Sequence, residues 1–439
     1  LRIALIRTSD ERRRFVWSIH HILVDGWSAA LILKEVFTFY DAFSAGKTPR
    51  IEPARSYVEF IRWLKKQDLQ RAETFFRTAL AGFTAPTRLG VDEPASGEER
   101  FGERSLVLPE AEAAELASFA RRQQITISTL VQGVWALLLS RYSGEEDVLF
   151  GATVSGRSAP VPGIDRMVGL FINTLPVRSS VSPTLTAPAF LKALQAQQAE
   201  LRDYEHVPLV EIQGYSELPR GTPLFESLLV FDNYPVEATA RKEAKTVSMV
   251  EPRVSERPAY ALMVVGVFRR TLSLKIGYDA RRFDDGTIER MLGHLRALLE
   301  GMIAEPARPL GELSMLRPEE RRALLVGYND TVAPYPGEKT FQELFEEQVD
   351  RSPERIALSF EGREIGYQAL DERSNRLAHL LIERGVGPGV LVGIAAERSP
   401  EMVMGLLGVL KAGGAYVPID PASPEERLLF LLEDSRVTV

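Results

Sequence analysis

Five prolines, Pro306, Pro309, Pro318, Pro334 and Pro336, divide this 439-residue chain into two parts of different texture. Proline lacks the N–H that helix and sheet ladders need, and only one short charged helix fits between these positions, so residues 304–339 read as a linker. The 303 residues before it can bury a large core of their own. Strand-like residues 3–7 and 15–20 flank the polar turn Thr8-Ser9-Asp10-Glu11. A helix follows, with Ser28 as candidate cap and the stripe Ile32, Val36, Phe39 and Phe43. Helical patterns cover 56–82 (as two helices), 109–123 and 127–142. Apolar strand-like runs occupy 147–154, 171–178, 228–231, 261–268 and 272–277. A last amphipathic helix carries Ile288, Leu292, Leu295, Leu299 and Met302. These elements predict a mixed α/β domain over residues 1–303. Beyond the linker, residues 340–439 show helices at 341–349 and 367–383, then strand 390–395, helix 401–411 and strand 416–419. That is a βαβ pattern, the start of a second α/β domain. Residues 436–439 read as a further strand.

Composition narrows the function classes. Apolar residues make up 45% and charged residues 26%, as in soluble globular proteins, and no apolar run reaches the length of a membrane span. The formal charge of −7 argues against a nucleic-acid binder that relies on a global positive field. The absence of cysteine excludes disulfides, thiolate metal sites and a cysteine nucleophile within this chain, and five histidines argue against a multi-histidine metal centre. The chain starts at Leu1 in strand-like sequence, without a signal-peptide pattern. It reads as an internal piece of a longer cytoplasmic polypeptide.

The sharpest chemical signal is His20-His21-Ile22-Leu23-Val24-Asp25-Gly26, at a strand-to-helix junction. A histidine near a fixed carboxylate is an acid/base arrangement, and glycine admits backbone conformations that other residues resist. Taken alone, the string fits two satisfied core histidines before a turn equally well. Gly413-Gly414 ends a helix instead of opening one and lacks the lysine of a phosphate loop, so it reads as a helix cap.

With its companions the string resembles a known family. His20-His21-x-x-x-Asp25-Gly26-Trp27-Ser28 is similar to the HHxxxDG signature of nonribosomal peptide synthetase condensation domains. Tyr142-Ser143-Gly144, Asp147-Val148 and Gly151, then Ser155-Gly156-Arg157, resemble the next block. Val168-Gly169-Leu170-Phe171-Ile172-Asn173-Thr174-Leu175-Pro176-Val177-Arg178 resembles a highly specific one. His206-Val207-Pro208-Leu209, and Pro223-Leu224-Phe225-Glu226 with Phe231-Asp232-Asn233-Tyr234-Pro235, resemble the last two. In the tail, Gly366-Tyr367-Gln368-Ala369-Leu370 and the run from Leu410-Lys411-Ala412-Gly413-Gly414 to Asp420-Pro421 resemble the first two motifs of amino-acid adenylation domains.

The resemblance implies a chloramphenicol-acetyltransferase-like, two-lobed condensation domain lacking its front portion, then the N-terminal part of an adenylate-forming domain. The reaction implied is amide formation between a donor acyl or peptidyl thioester and the amine of an acceptor aminoacyl thioester. His21 is implied as the group that handles the amine proton, and His20 as local support. Asp25 shapes the loop by an ion pair with Arg157. Gly26 either offers its N–H to the reacting carbonyl or, as the favoured reading, serves the turn. Asn173 and Arg178 lie on a strand that lines the tunnel or simply packs the sheet. Partners implied are donor and acceptor peptidyl carrier domains bearing 4'-phosphopantetheine, and the rest of the same synthetase, with no nucleic acid and no membrane. No cofactor is implied within the fragment. ATP and Mg belong to a full adenylation domain, whose ATP loop is expected beyond the second motif, so the fragment is not expected to activate an amino acid. The order Asp25-Gly26-Trp27-Ser28 argues for condensation over epimerisation. Residues 168–178 and 229–235 lean toward a donor ending in a D-residue, with an L-donor as the other subtype. The competing readings are a catalytically silent docking platform, or an epimerising or free-standing acyltransferase of the same fold.

Overall fold

The first two strand runs pair as an antiparallel hairpin, β1 (Arg2–Arg7) with β2 (Arg13–Ser18), which sets Leu5 opposite Phe15. The computed structural model describes residues 1–92, 100–219, 221–232, 260–437 and 439, with the Asp232 side chain also left out. Helix α1 (Gly26–Ser44) starts where the Asp25 carboxylate accepts the Ser28 N–H. Asp25 is therefore the cap, and Ser28 lies buried in the first turn, a correction to the sequence expectation. The stripe on α1 follows helical spacing, yet Val36, Phe39 and Phe43 are exposed.

Helices α2 (Val58–Leu64) and α3 (Leu69–Leu80) occupy the predicted region. The chain continues through β3 (Phe101–Leu108), α4 (Glu110–Gln123), α5 (Ile127–Ser143), β4 (Asp147–Val154) and β5 (Asn173–Ser180). Next come α6 (Ala187–Leu201), α7 (Leu209–Tyr215), β6 (Ser227–Asp232), β7 (Leu262–Phe268), β8 (Leu272–Asp279) and α8 (Asp285–Ala304). Six of these strands form a mixed sheet in the order β3-β8-β7-β6-β4-β5, parallel at β4–β6 and β6–β7 and antiparallel elsewhere. Every residue of α5 from Thr129 to Leu139 is buried, as befits a helix apolar on all sides. Its Trp135 shares one core with Phe150 of β4, Tyr278 of β8 and Leu295 of α8.

Strand β5 begins at Asn173, two residues later than expected, because the backbone just before it is engaged by α1. Gly169 O accepts from the Asp25 N–H and the Ser28 hydroxyl, and Phe171 N–H donates to Asp25. The expected linker also differs in its first part. Leu310 and Leu313 are buried in the first core, Leu310 N–H donates to Leu185 O, and Arg141 donates to Leu310 O. Helix α9 (Pro318–Leu325) follows, and the two units of the chain divide between Asn329 and Asp330.

The second unit opens with α10 (Phe341–Arg351), then a hairpin of β9 (Ile356–Phe360) and β10 (Arg363–Gly366), then α11 (Tyr367–Glu383). Strand β11 (Leu391–Ala395) runs parallel to β12 (Ala415–Ile419) through α12 (Pro400–Lys411), the predicted βαβ crossover. Gly413, at φ +82°, takes the left-handed position just past α12. The ammonium of Lys411, almost wholly buried, ties α12 to Glu346 of α10 and Asp371 of α11. After α13 (Glu425–Ser435), Arg436 adopts a left-handed conformation that caps the helix, where a strand was expected. Thr438 lies outside the described residues. Among the described residues no helix is long and apolar enough to cross a membrane.

Candidate active site

The histidine pair sits where β2 hands over to α1. The backbone reverses there, with Leu23 N–H donating to His20 O. His20 Nδ1 accepts the Ile22 N–H at 3.1 Å, so this ring holds the turn. His21 follows it in the turn with its side chain exposed. Three residues on, the chain goes under the surface: Val24, Asp25 and Ser28 are all buried.

Burying a carboxylate is costly unless its oxygens are satisfied. Asp25 Oδ1 accepts Ser28 N–H at 2.8 Å, and Oδ2 accepts Phe171 N–H at 3.0 Å. Arg157 Nη2 reaches both oxygens at 3.3 and 3.5 Å, and in this pair the side chains are 0% and 5% exposed. The guanidinium does more than neutralise Asp25. It donates to the carbonyls of Ile164 and Met167 at 2.5 and 3.1 Å, to Ser28 Oγ at 2.9 Å, and lies 3.9 Å from the Phe171 ring centroid. The pairing of Asp25 with Arg157 expected by resemblance is thus present in the structure.

Ser28, read from the sequence as a helix cap, has a different role. Its hydroxyl donates to Gly169 O at 2.8 Å and accepts Gly169 N–H at 3.0 Å, fixing the start of α1 to the segment before β5. Tyr57 closes the same knot from α2's side. Its hydroxyl donates to Leu170 O at 2.5 Å, and its ring lies where a Cβ on Gly169 would sit. Burial, then the Asp25 charge, pushes the Tyr57 phenol above its ordinary pKa, so it stays a donor at neutral pH. Gly156, at φ +63°, brings the chain against Phe171, and a Cβ there would overlap the Phe171 carbonyl oxygen. The signal for Gly156 and Gly169 was available in the two glycine-bearing blocks. Tyr57 had no local signal.

Gly26 corrects an expectation. It is the first residue of α1, its φ is not left-handed, and a Cβ would meet nothing within 4 Å among the described residues. No turn requires glycine there.

Asn173 and Arg178 are not brought into the knot by side-chain bonds. Asn173 Nδ2 donates to Glu205 O and Val207 O at 2.9 and 2.6 Å, which anchors the loop carrying His206. His206 packs edge-on to Trp63, and burial pushes its pKa down despite a backbone hydrogen bond at Asp203. Arg178 grips Asp147 through two nitrogens and donates to Ala79 O and Ala81 O, tying the end of α3 to the sheet. Asn233, Tyr234 and Pro235 lie outside the described residues.

Comparison with known proteins places the chain in a family. Residues 1–325 match the condensation domain family, and residues 345–439 match the AMP-binding enzyme family. The whole chain is 44% identical, over 442 residues, to one of the proteins that make up the linear gramicidin synthase of Brevibacillus parabrevis, and covers 9% of it. It is 39% identical over 445 residues to Bacitracin synthase 3 of Bacillus licheniformis, and covers 7% of it. The chain thus spans less than a tenth of the length of these relatives. A crystal structure of a four-domain nonribosomal peptide synthetase bound to AMP and glycine superposes with a TM-score of 0.82 at 21% identity, over 100% of this chain and 34% of that one. The second unit carries the match to the AMP-binding enzyme family, and the chain belongs to the condensation-domain family of nonribosomal peptide synthetases.

Proposed function

We propose that this chain joins the amine of an acceptor aminoacyl thioester to the acyl carbon of a donor thioester, each presented on the 4'-phosphopantetheine arm of a carrier domain. The observation that carries this reading is the buried Asp25–Arg157–Ser28 knot, which holds the turn bearing His20 and His21 at the exposed N-terminus of α1. A thioester is already activated, and a free α-amino group titrates at about 7.7–8.0, so much of the amine is neutral without help. The amine nitrogen attacks the donor carbonyl carbon. The C–S bond breaks, the pantetheine thiolate leaves, and the amine gives up one proton.

Holding the two tethered partners together is the main contribution. His21 takes the proton or orients the amine that loses it, and His20 supports its turn through Ile22 N–H. Asp25 and Arg157 are positioning residues. Asn173 and Arg178 brace the β5 region and touch no reacting group. Gly26 opens α1, where backbone N–H groups have no intrahelical acceptor and carry partial positive charge, so its N–H is the donor we assign to the developing oxyanion. Carrier domains, and the remainder of a synthetase, are the partners. The connection between the two domains lies within residues 330–339. The resemblance of residues 168–178 favours a donor ending in a D-residue. No ATP chemistry is assigned to residues 340–439.

The reaction is tested with the full open reading frame that encodes this chain and with both carriers loaded. Intact-carrier mass spectrometry should show the acyl mass moving to an aminoacyl acceptor and staying on the donor when the acceptor lacks its amine. Equal loss of donor acyl with both acceptors would mean hydrolysis and would sink the proposal. A second test isolates Gly26. Gly26→Ala should keep stability within about 1 kcal/mol of wild type, since alanine is the better helix former and nothing opposes its Cβ. Alanine keeps the backbone N–H, so this test reads space: if Gly26 lines the site, the added methyl stands where the donor thioester approaches, and transfer should fall roughly ten-fold or more through misplacement of the reacting atoms. An unchanged rate removes Gly26 from the site.

A further inference from the structure

A second polar cluster, half-buried around a buried histidine, lies in the first unit, outside the histidine turn and not used by the reaction. Tyr142 at the end of α5, His294 in α8 and Glu320 in α9 form a relay. The Tyr142 hydroxyl is 2.8 Å from His294 Nδ1, and His294 Nε2 is 3.2 Å from Glu320 Oε2. His294 is 6% exposed. A carboxylate only accepts, so Nε2 carries the ring proton, and in the neutral ring Nδ1 accepts from Tyr142. Burial favours this neutral form and holds the His294 pKa below its ordinary value, aided by Arg317 and Arg290 and opposed by Glu320. Burial also pushes Tyr142 up to about 12, so its proton stays in the relay.

The same Glu320 oxygen closes the N-terminus of α9, accepting Arg317 N–H at 3.0 Å. Among the described residues, little else holds helix α9 beyond the Arg317 side chain just before it, which lies against Gly293 of α8. None of the residues of α9 is buried, and Leu324, Leu325 and Val326 beyond Glu320 are about half exposed. An eight-residue helix is not stable alone in water, so a specific anchor must account for its docking.

We propose that the Tyr142–His294–Glu320 relay is a latch that docks α9 on the first unit and so sets the length of chain free to connect the two units. With the latch closed, the first unit runs to Asn329. With it open, the last packed residue is Met315, and the 14 residues after it join the tether. Fully extended, that adds roughly 46–50 Å of reach. A longer tether lowers the effective concentration of one unit at the other.

The test is amide hydrogen exchange read by mass spectrometry on the full chain. His294→Phe keeps a ring of similar size and removes both relay bonds. It should speed exchange in residues 318–329 ten-fold or more while β4 exchanges as in wild type. His294→Gln, whose amide N–H still reaches toward Glu320, should restore much of the protection. No change at 318–329 in the Phe variant overturns the latch, because α9 is then held by other contacts. Equal acceleration in β4 and in 318–329 for both variants also overturns it, because His294 is then only a core residue.

Discussion

Replacing Arg157 by methionine is expected to destabilise the first unit by about 3–5 kcal/mol, the usual cost of leaving one member of a buried ion pair alone. The cost comes from what stays behind. Asp25 would keep its bonds from Ser28 N–H and Phe171 N–H, but its fully buried carboxylate would lose its counter-charge. The carbonyls of Ile164 and Met167 and the Ser28 hydroxyl would lose a charged donor. Methionine fills much of the volume over Phe171 without replacing any of these bonds. Chemical denaturation of wild type and variant measures the difference. The double variant Asp25→Asn with Arg157→Met should cost clearly less than the sum of the two single changes, because the uncompensated charge is then gone. Additive losses would show that the two residues do not act as a pair.

Much of this fold was legible in the sequence wherever the apolar period was strong. Helices α5 and α8 and strands β4, β7 and β8 stand close to where their patterns put them. Strand β3 was not read, because Phe101-Gly102-Glu103-Arg104-Ser105 alternates weakly, with only Leu108 fully buried in the sheet edge. Proline content misled at residues 304–339. Pro309 sits just before Leu310, which plugs the first core, so a proline-rich stretch was packed and not free.

The site was legible in part for a different reason. The resemblance supplied His21, Asp25 and Arg157, and the structure joins the last two at hydrogen-bond distance. It could not show that Ser28 clasps both backbone groups of Gly169, since that bond spans 141 residues of chain. Nor could it separate two meanings of Gly26. A glycine kept for a turn and a glycine kept for open space look identical in a sequence, and only the backbone angle distinguishes them.

If the exposed His21 turn is the reacting centre, His21→Ala must slow transfer. The side chain is exposed and outside the core, so the variant should fold as wild type does, checked by its unfolding curve. Positioned proton transfer contributes typically about 10² to 10⁴-fold to a rate. The measurement is a single-turnover reaction, in the full polypeptide, between a loaded donor carrier and an aminoacyl acceptor carrier, quenched over time and read by intact mass. Wild type should move the acyl group, and His21→Ala should be slower by at least about 10²-fold, the low end of that range. Equal rates would contradict the role of His21. No transfer by wild type from any of several donors, with both carriers bound, would contradict the catalytic reading and point to a docking platform.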